Sequence, residues 1–113
     1  MRRKDQPLSP AKFQILLALS GEEMYGYKII KEVERMSGGH FSLGPGTFYD
    51  NLQKLMDEGF VEDLGYRKGD EDPRRRYYRL SPSGFSTLST EVSRLQALVW
   101  SANLRLAKAG TVK

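Results

Sequence analysis

The sequence has no cysteine, one histidine and one tryptophan in 113 residues, and these shortages remove whole classes of chemistry. Without cysteine there is no disulfide framework, no thiolate zinc site and no cysteine nucleophile, so the chain is compatible with a reducing compartment. His40 is the single histidine, and neither H-E-x-x-H nor G-x-S-x-G accompanies it. With no second metal-binding side chain at ligand spacing, it reads as a turn or surface residue rather than a ligand. Nothing supplies a nucleophile, a base and an orienting group together, so neither enzymatic activity nor a cofactor or metal is expected. Long apolar runs are missing too. The longest, Ile15 to Leu19, is far short of the ~20 residues of a spanning helix, and the basic start Met1-Arg2-Arg3-Lys4 lacks a following apolar stretch. Membrane insertion and secretion are therefore not expected, and the expected location is the cytoplasm.

What is present suits one small folded domain. Hydrophobic residues make up 39% of the chain and charged residues 28%, enough apolar matter for a core and too much for disorder. Eighteen Lys and Arg against fourteen Asp and Glu give a net charge of +4, a mild bias that suits an anionic partner.

Local signals divide the chain. Ser9-Pro10 offers an N-cap followed by proline at the first helical position, and Phe13, Ile15, Leu16, Leu17 and Leu19 form an apolar face, predicting a first helix over about 9–20. A second helix is expected from Tyr25 to about Met36, stopped by Gly38-Gly39. Phe41-Ser42-Leu43 reads as a short extended piece. Gly44-Pro45-Gly46-Thr47 then starts a third helix, with apolar positions at Phe48, Leu52 and Leu55 and a stop at Gly59. Val61 to Arg67 and Arg76 to Leu80 read as a hairpin around the polar turn Lys68-Gly69-Asp70-Glu71-Asp72-Pro73. Ser81 caps and Pro82 opens one long helix to about Ala107. The expected architecture is mainly α with a small β-hairpin (α+β): a flexible N-terminal arm over 1–8, a winged helix-turn-helix over 9–80, a long C-terminal helix over 81–108 and a flexible tail over 109–113.

In a winged helix the third helix enters a DNA major groove and the hairpin reaches the flanking backbone. With Phe48, Leu52 and Leu55 buried, steps of 100° put Thr47, Tyr49, Asp50, Gln53, Lys54 and Asp57 on the opposite face. Gln53 can read adenine bidentately, and Thr47 or Tyr49 can bind phosphate beside the helix N-terminus. Asp50 and Asp57 oppose phosphate unless they accept from cytosine or pair with a neighbouring cation. The hairpin places Arg67, Lys68, Arg74, Arg75, Arg76 and Arg79 in thirteen residues, either as a phosphate-binding wing or as an internally neutralised ribbon. Gly44-x-Gly46 lacks the Gly-Lys-Ser/Thr of a phosphate loop and has Tyr49 where a dinucleotide fingerprint needs glycine, so it reads as a tight turn into the helix.

In the last helix Phe85, Leu88, Val92, Leu95, Val99, Ala102 and Leu106 alternate in steps of three and four, the seam of a coiled coil. At 1.5 Å per residue such a helix runs about 37 Å, longer than the body of so small a domain, and a second copy is the simplest cover for the excess. Trp100 lies beside the seam, where it either packs against the partner or borders a pocket for a flat apolar ligand.

Several segments resemble the PadR family of transcriptional regulators, in particular its short members with a single C-terminal helix. They are Tyr25-Gly26-Tyr27-x-Ile29-Ile30, Gly44-Pro45-Gly46-Thr47-Phe48-Tyr49, Gly59-Phe60-Val61, Arg74-Arg75-Arg76-Tyr77-Tyr78-Arg79-Leu80 and Ser81-x-x-Gly84. The resemblance covers about residues 10 to 85. It implies a homodimeric winged-helix repressor on a palindromic operator of double-stranded DNA, with Pro45, Gly46, Thr47, Tyr49 and Arg74 to Arg76 at the DNA and, in some members, a small aromatic effector. Asp50 departs from the neutral residue common in that family. The residues and the resemblance together give the expected DNA-contact set Pro45, Gly46, Thr47, Tyr49, Gln53, Lys54, Lys68, Arg74, Arg75 and Arg76. The competing reading is a winged-helix protein-interaction module, for which Asp50 and Asp57 would suit a basic partner.

Overall fold

The computed structural model describes residues 6–110. Ser9 accepts a hydrogen bond from the Lys12 N–H at 3.3 Å, and Pro10 opens α1 (Pro10–Leu19) as the cap signal requires. Then come α2 (Gly26–Met36) and α3 (Pro45–Asp57). Gly59, at φ +81°, stops α3 by letting the Phe60 N–H reach back to the Leu55 carbonyl at 2.9 Å. The last helix, α4 (Pro82–Lys108), starts at Ser81, whose Oγ accepts from the Gly84 N–H at 3.0 Å.

The expected hairpin is β2 (Val61–Tyr66) and β3 (Arg76–Leu80), paired antiparallel with Val61 opposite Leu80 and a bulge between Asp63 and Gly65. A third strand, β1 (Met24–Tyr25), pairs with the other edge of β3, giving the order β1-β3-β2. This corrects the placement of Tyr25 in the second helix: it lies opposite Tyr77 in the sheet and serves as the cap of α2. Two residues carry no readable period, so only the partner strand defines β1. The fold is α+β, a winged helix extended by a long helix.

The core lies where the three short helices meet the sheet. Ile15, Leu16, Leu19, Ile29, Val33, Phe48, Leu52 and Leu55 are fully buried, and Met24, Val61, Tyr78, Leu80 and Leu88 close it from the sheet and α4. Each such side chain contributes ~1.5–3 kcal/mol, so the buried faces, not helix propensity, hold these short helices. Phe41-Ser42-Leu43 forms no ladder; Leu43 instead plugs the core.

Several expected boundaries change. Leu8, expected in the arm, is instead tied to the body: it is buried and its N–H donates to Glu91 Oε2 at 3.2 Å. Glu91, buried in α4, also takes Arg94 Nε at 3.1 Å and the Arg94 terminal nitrogen at 2.7 Å, bonds that offset its desolvation. Residues 1–5 of the expected arm and 111–113 of the expected tail lie outside the described residues. The tail expected from 109 begins instead with Ala109 as the cap of α4. Nor does α4 stand outside the winged helix: Leu88 belongs to the core, Val92 packs against it, and the Ser81 Oγ donates to the Gly59 carbonyl at 2.5 Å. Leu88, expected at a dimer seam, is thus used inside the chain, because the first turns of α4 lie against α1 and β3. The later turns project, giving overall dimensions of 57 × 30 × 22 Å.

Candidate nucleic-acid interface

The exposed face of α3 carries the residues that the 100° arithmetic assigns to it. Thr47, Tyr49, Asp50, Gln53, Lys54 and Asp57 are all exposed, while Phe48, Leu52 and Leu55 are buried opposite them. At the start of α3, Gly44, Pro45 and Gly46 are exposed, and Gly44 caps the helix without a side chain, leaving first-turn N–H groups available to an anion. Gly44 and Gly46 have no positive φ, and a Cβ at either would meet nothing within 4 Å. The turn therefore does not require glycine at these positions, contrary to the expectation from sequence; their effect is to leave open space before the helix.

Tyr49 stands half-exposed, with its ring edge-on to Phe48 at 4.8 Å between centroids. Its hydroxyl lies against Gly26, so close that a Cβ there would stand 2.5 Å from the oxygen, and this contact ties α3 to the first turn of α2. The two acidic residues are occupied within the helix. Asp50 pairs with Lys54 at 3.2 Å, and Asp57 accepts from the Gln53 amide at 2.9 Å. Gln53 and Lys54 must exchange these partners to meet a base or phosphate.

The wing is more organised than its charge run suggests. Arg74 grips Asp72 through two nitrogens, Nε at 3.2 Å and a terminal nitrogen at 3.3 Å, and its side chain is 90% exposed. Arg76 meets Asp63 at 2.6 Å and lies over the Tyr66 ring, 4.9 Å from its centroid. Arg79 pairs with Glu62 at 2.9 Å, and Arg67 pairs with Glu23 while stacking on Tyr77 at 3.8 Å. Arg75 differs from its neighbours: 28% exposed, it stacks on Tyr25 at 4.1 Å and approaches Asp70 at 3.6 Å. The Tyr77 hydroxyl donates to the same Asp70 at 2.5 Å. Lys68 is exposed at the tip, and among the described residues no ion pair is seen for it. The internally neutralised ribbon is thus the state of the free wing.

These contacts bias titration. The Tyr77 hydroxyl holds the Asp70 carboxyl below its ordinary value, and Arg74 does the same for Asp72. Conversely, Asp70 raises the Tyr77 phenol and burial raises that of Tyr78. Tyr25, Tyr66, Asp63 and Asp70, which position the arginines, were not anticipated as site residues; the tyrosines flanking Gly26 and following Arg76 were the available signal. Tyr25, Gly26, Tyr49, Arg74, Arg75 and Arg76 border an open cleft of about 450 Å³ in which α2, α3 and the wing meet.

A second exposed feature lies on α4. Phe85, Val99, Ala102 and Leu106 of the expected seam are exposed and Leu95 is half-buried, joined by Leu98, Leu104 and Trp100, the last 68% exposed. Phe13 of α1 with Val92, Leu95, Val99 and Trp100 of α4 borders an open apolar groove of about 460 Å³. So wide an exposed apolar surface is unusual on a monomer. Among the described residues no helix is long and apolar enough to cross a membrane.

Residues 15–90 match the family model described as the transcriptional regulator PadR-like family. No curated protein sequence matches the chain. Among solved structures, a PadR family transcription regulator from Clostridium difficile is similar at 22% identity and a TM-score of 0.75, over 87% of this chain and 99% of that one. A PadR-like transcriptional regulator from Bacillus cereus is similar at 22% identity and a TM-score of 0.72, over 84% of this chain and 89% of that one. These two likenesses concern the fold. Bacillus subtilis PadR, solved in complex with operator DNA, is similar at 31% identity and a TM-score of 0.59; the match covers 69% of this chain and 44% of that one.

Proposed function

Because the chain belongs to the PadR-like family of transcriptional regulators, we propose that it is a DNA-binding repressor that grips a palindromic operator as a homodimer. In this reading α3 enters the major groove, with Gln53 at base edges and Pro45, Gly46, Thr47 and Tyr49 along the phosphates. Lys54, Lys68, Arg74 and Arg76 add backbone contacts, and Arg75 braces the wing. The observation that carries it is that Tyr49 of α3 and the Arg74 to Arg76 edge of the wing border one open cleft. Backbone contacts would fix register while the exposed α3 face reads sequence. The operator complex of Bacillus subtilis PadR supports DNA as the ligand class.

The dimer is assigned to α4 through Phe85, Val92, Leu95, Val99, Ala102 and Leu106, with Trp100 at its side. The apolar groove beside Trp100 is the seat we assign to a flat apolar effector, which would act by shifting the two recognition helices relative to each other. The site of action is the cytoplasm. The interaction-module alternative is not favoured, since residues 15–90 match a family of transcriptional regulators and the similar Bacillus subtilis PadR is solved in complex with operator DNA.

The test is fluorescence anisotropy of the purified chain with DNA from upstream of its own gene and with a scrambled duplex of equal length, across a salt series. Tight, selective, steeply salt-dependent binding with two protomers per site is expected. Equal weak binding to both duplexes would overturn the sequence-specific reading.

A further inference from the structure

Between positions 61 and 80 lie six cations, Arg67, Lys68, Arg74, Arg75, Arg76 and Arg79, and five carboxylates, Glu62, Asp63, Asp70, Glu71 and Asp72. Glu23, which pairs with Arg67, brings the carboxylates to six, so the folded wing with its partners carries no net charge. A surface that binds DNA by charge would not be expected to cancel itself, and the geometry separates the pairs into two kinds.

The Arg75 and Asp70 pair is inward. It is braced by Tyr25 and by the Tyr77 hydroxyl, and it holds the loop. The other pairs are more exposed, and in two of them the carboxylate is also held by the backbone. Asp72 takes two nitrogens of Arg74, the same two-point grip that a phosphate makes on guanidinium. Asp63 takes Arg76 Nε at 2.6 Å while the Tyr66 ring supports the guanidinium from its face. Each carboxylate is itself fixed by a backbone N–H, of Arg74 at 3.0 Å for Asp72 and of Gly65 at 2.8 Å for Asp63. Both anions are thus preset beside their arginines by the turn and by the bulge.

We propose that Asp63 and Asp72 are intramolecular stand-ins for DNA phosphate, holding Arg76 and Arg74 in contact geometry until a duplex displaces them. This rests on the DNA-binding reading and adds a selectivity device to it. An exposed ion pair is weak, so the exchange is easy. The displaced carboxylate stays near the phosphates and recruits a cation, however, so each exchanged pair yields little net counterion release. The wing then adds orientation without adding much indiscriminate affinity, and duplexes that offer α3 no base contacts are held poorly. A genome presents a vast excess of such sites, which gives this restraint its value.

The experiment compares the full chain with Asp63→Asn, Asp72→Asn, the double variant and Arg74→Ala, using the upstream and scrambled duplexes in a salt series. Asparagine keeps the oxygen that accepts the backbone N–H and removes the charge. Each Asn variant should bind the scrambled duplex about two- to five-fold more tightly. It should also steepen the slope of log affinity against log salt by about one. Thermal unfolding reports whether each variant is folded; if Asp63→Asn disturbs the bulge, Asp72→Asn decides. Unchanged or weaker binding by the folded Asn variants, with Arg74→Ala still weakening binding, overturns the proposal and leaves the DNA reading standing. Absence of binding by the unmodified chain to either duplex at low salt overturns both.

Discussion

A methyl group added at Gly84 and one added at Gly46 should have opposite consequences. At Gly84 it would stand 2.1 Å from the Phe60 carbonyl oxygen, where α4 abuts the turn that follows α3. Gly84→Ala is expected to cost ~1–3 kcal/mol through overpacking, read as a lower denaturant midpoint. At Gly46 the methyl would meet nothing, so Gly46→Ala should leave stability within ~0.5 kcal/mol or raise it. The same change should weaken DNA binding several-fold in the anisotropy assay, because it fills the space through which a phosphate backbone approaches α3. An unaltered affinity would remove the first turn of α3 from the interface. Both glycines stand in segments whose spacing is readable, Gly44-Pro45-Gly46-Thr47 and Ser81-x-x-Gly84. Only the distances separate a glycine kept for packing from one that leaves room for a ligand. The same holds for Arg74, Arg75 and Arg76, an unbroken run in which the middle residue braces Tyr25 and its neighbours face outward.

At the scale of the element, α4 does two jobs in succession. Its first turns close the core through Leu88 and bind the N-terminal segment through Glu91, while its later turns expose Leu98, Val99, Trp100 and Leu104. Val99→Asp should therefore leave the winged helix folded and shift the chain to monomer in sedimentation velocity. Leu88→Asp should prevent folding, since it places a carboxylate in the core. A Val99→Asp chain that still sediments as a dimer would take α4 out of the interface. The apolar period of this helix was plain in the sequence, because repeats of three and four depend only on local spacing. Which repeats face inward was not, because that depends on where α1 and β3 end against it. The other elements were legible to within a residue or two for the same reason. β1 was not, since two residues become a strand only by pairing with β3.

For the whole molecule, an extent of 57 Å in a chain of this size means that α4 reaches well past the body. A dimer joined along it would hold two copies of α3 at a fixed separation, and the operator's half-sites, commonly ~34–36 Å apart for helix-turn-helix dimers, would have to match that separation. Inserting about five base pairs between half-sites turns one of them to the opposite face of the duplex and should abolish tight binding while each half-site stays intact. Binding that tolerates the insertion would show that the protomers read DNA independently.

The sequence by itself determined the order and type of the helices and the hairpin, the apolar faces, and the inventory of charges, because each depends on residues a few positions apart. The tertiary structure alone decided that Leu8 closes on Glu91 across 83 residues, that β1 completes the sheet, and that the wing's arginines are already held by carboxylates and tyrosine rings. Burial and charge pairing are properties of groups brought together by folding, and no local spacing along the chain records them.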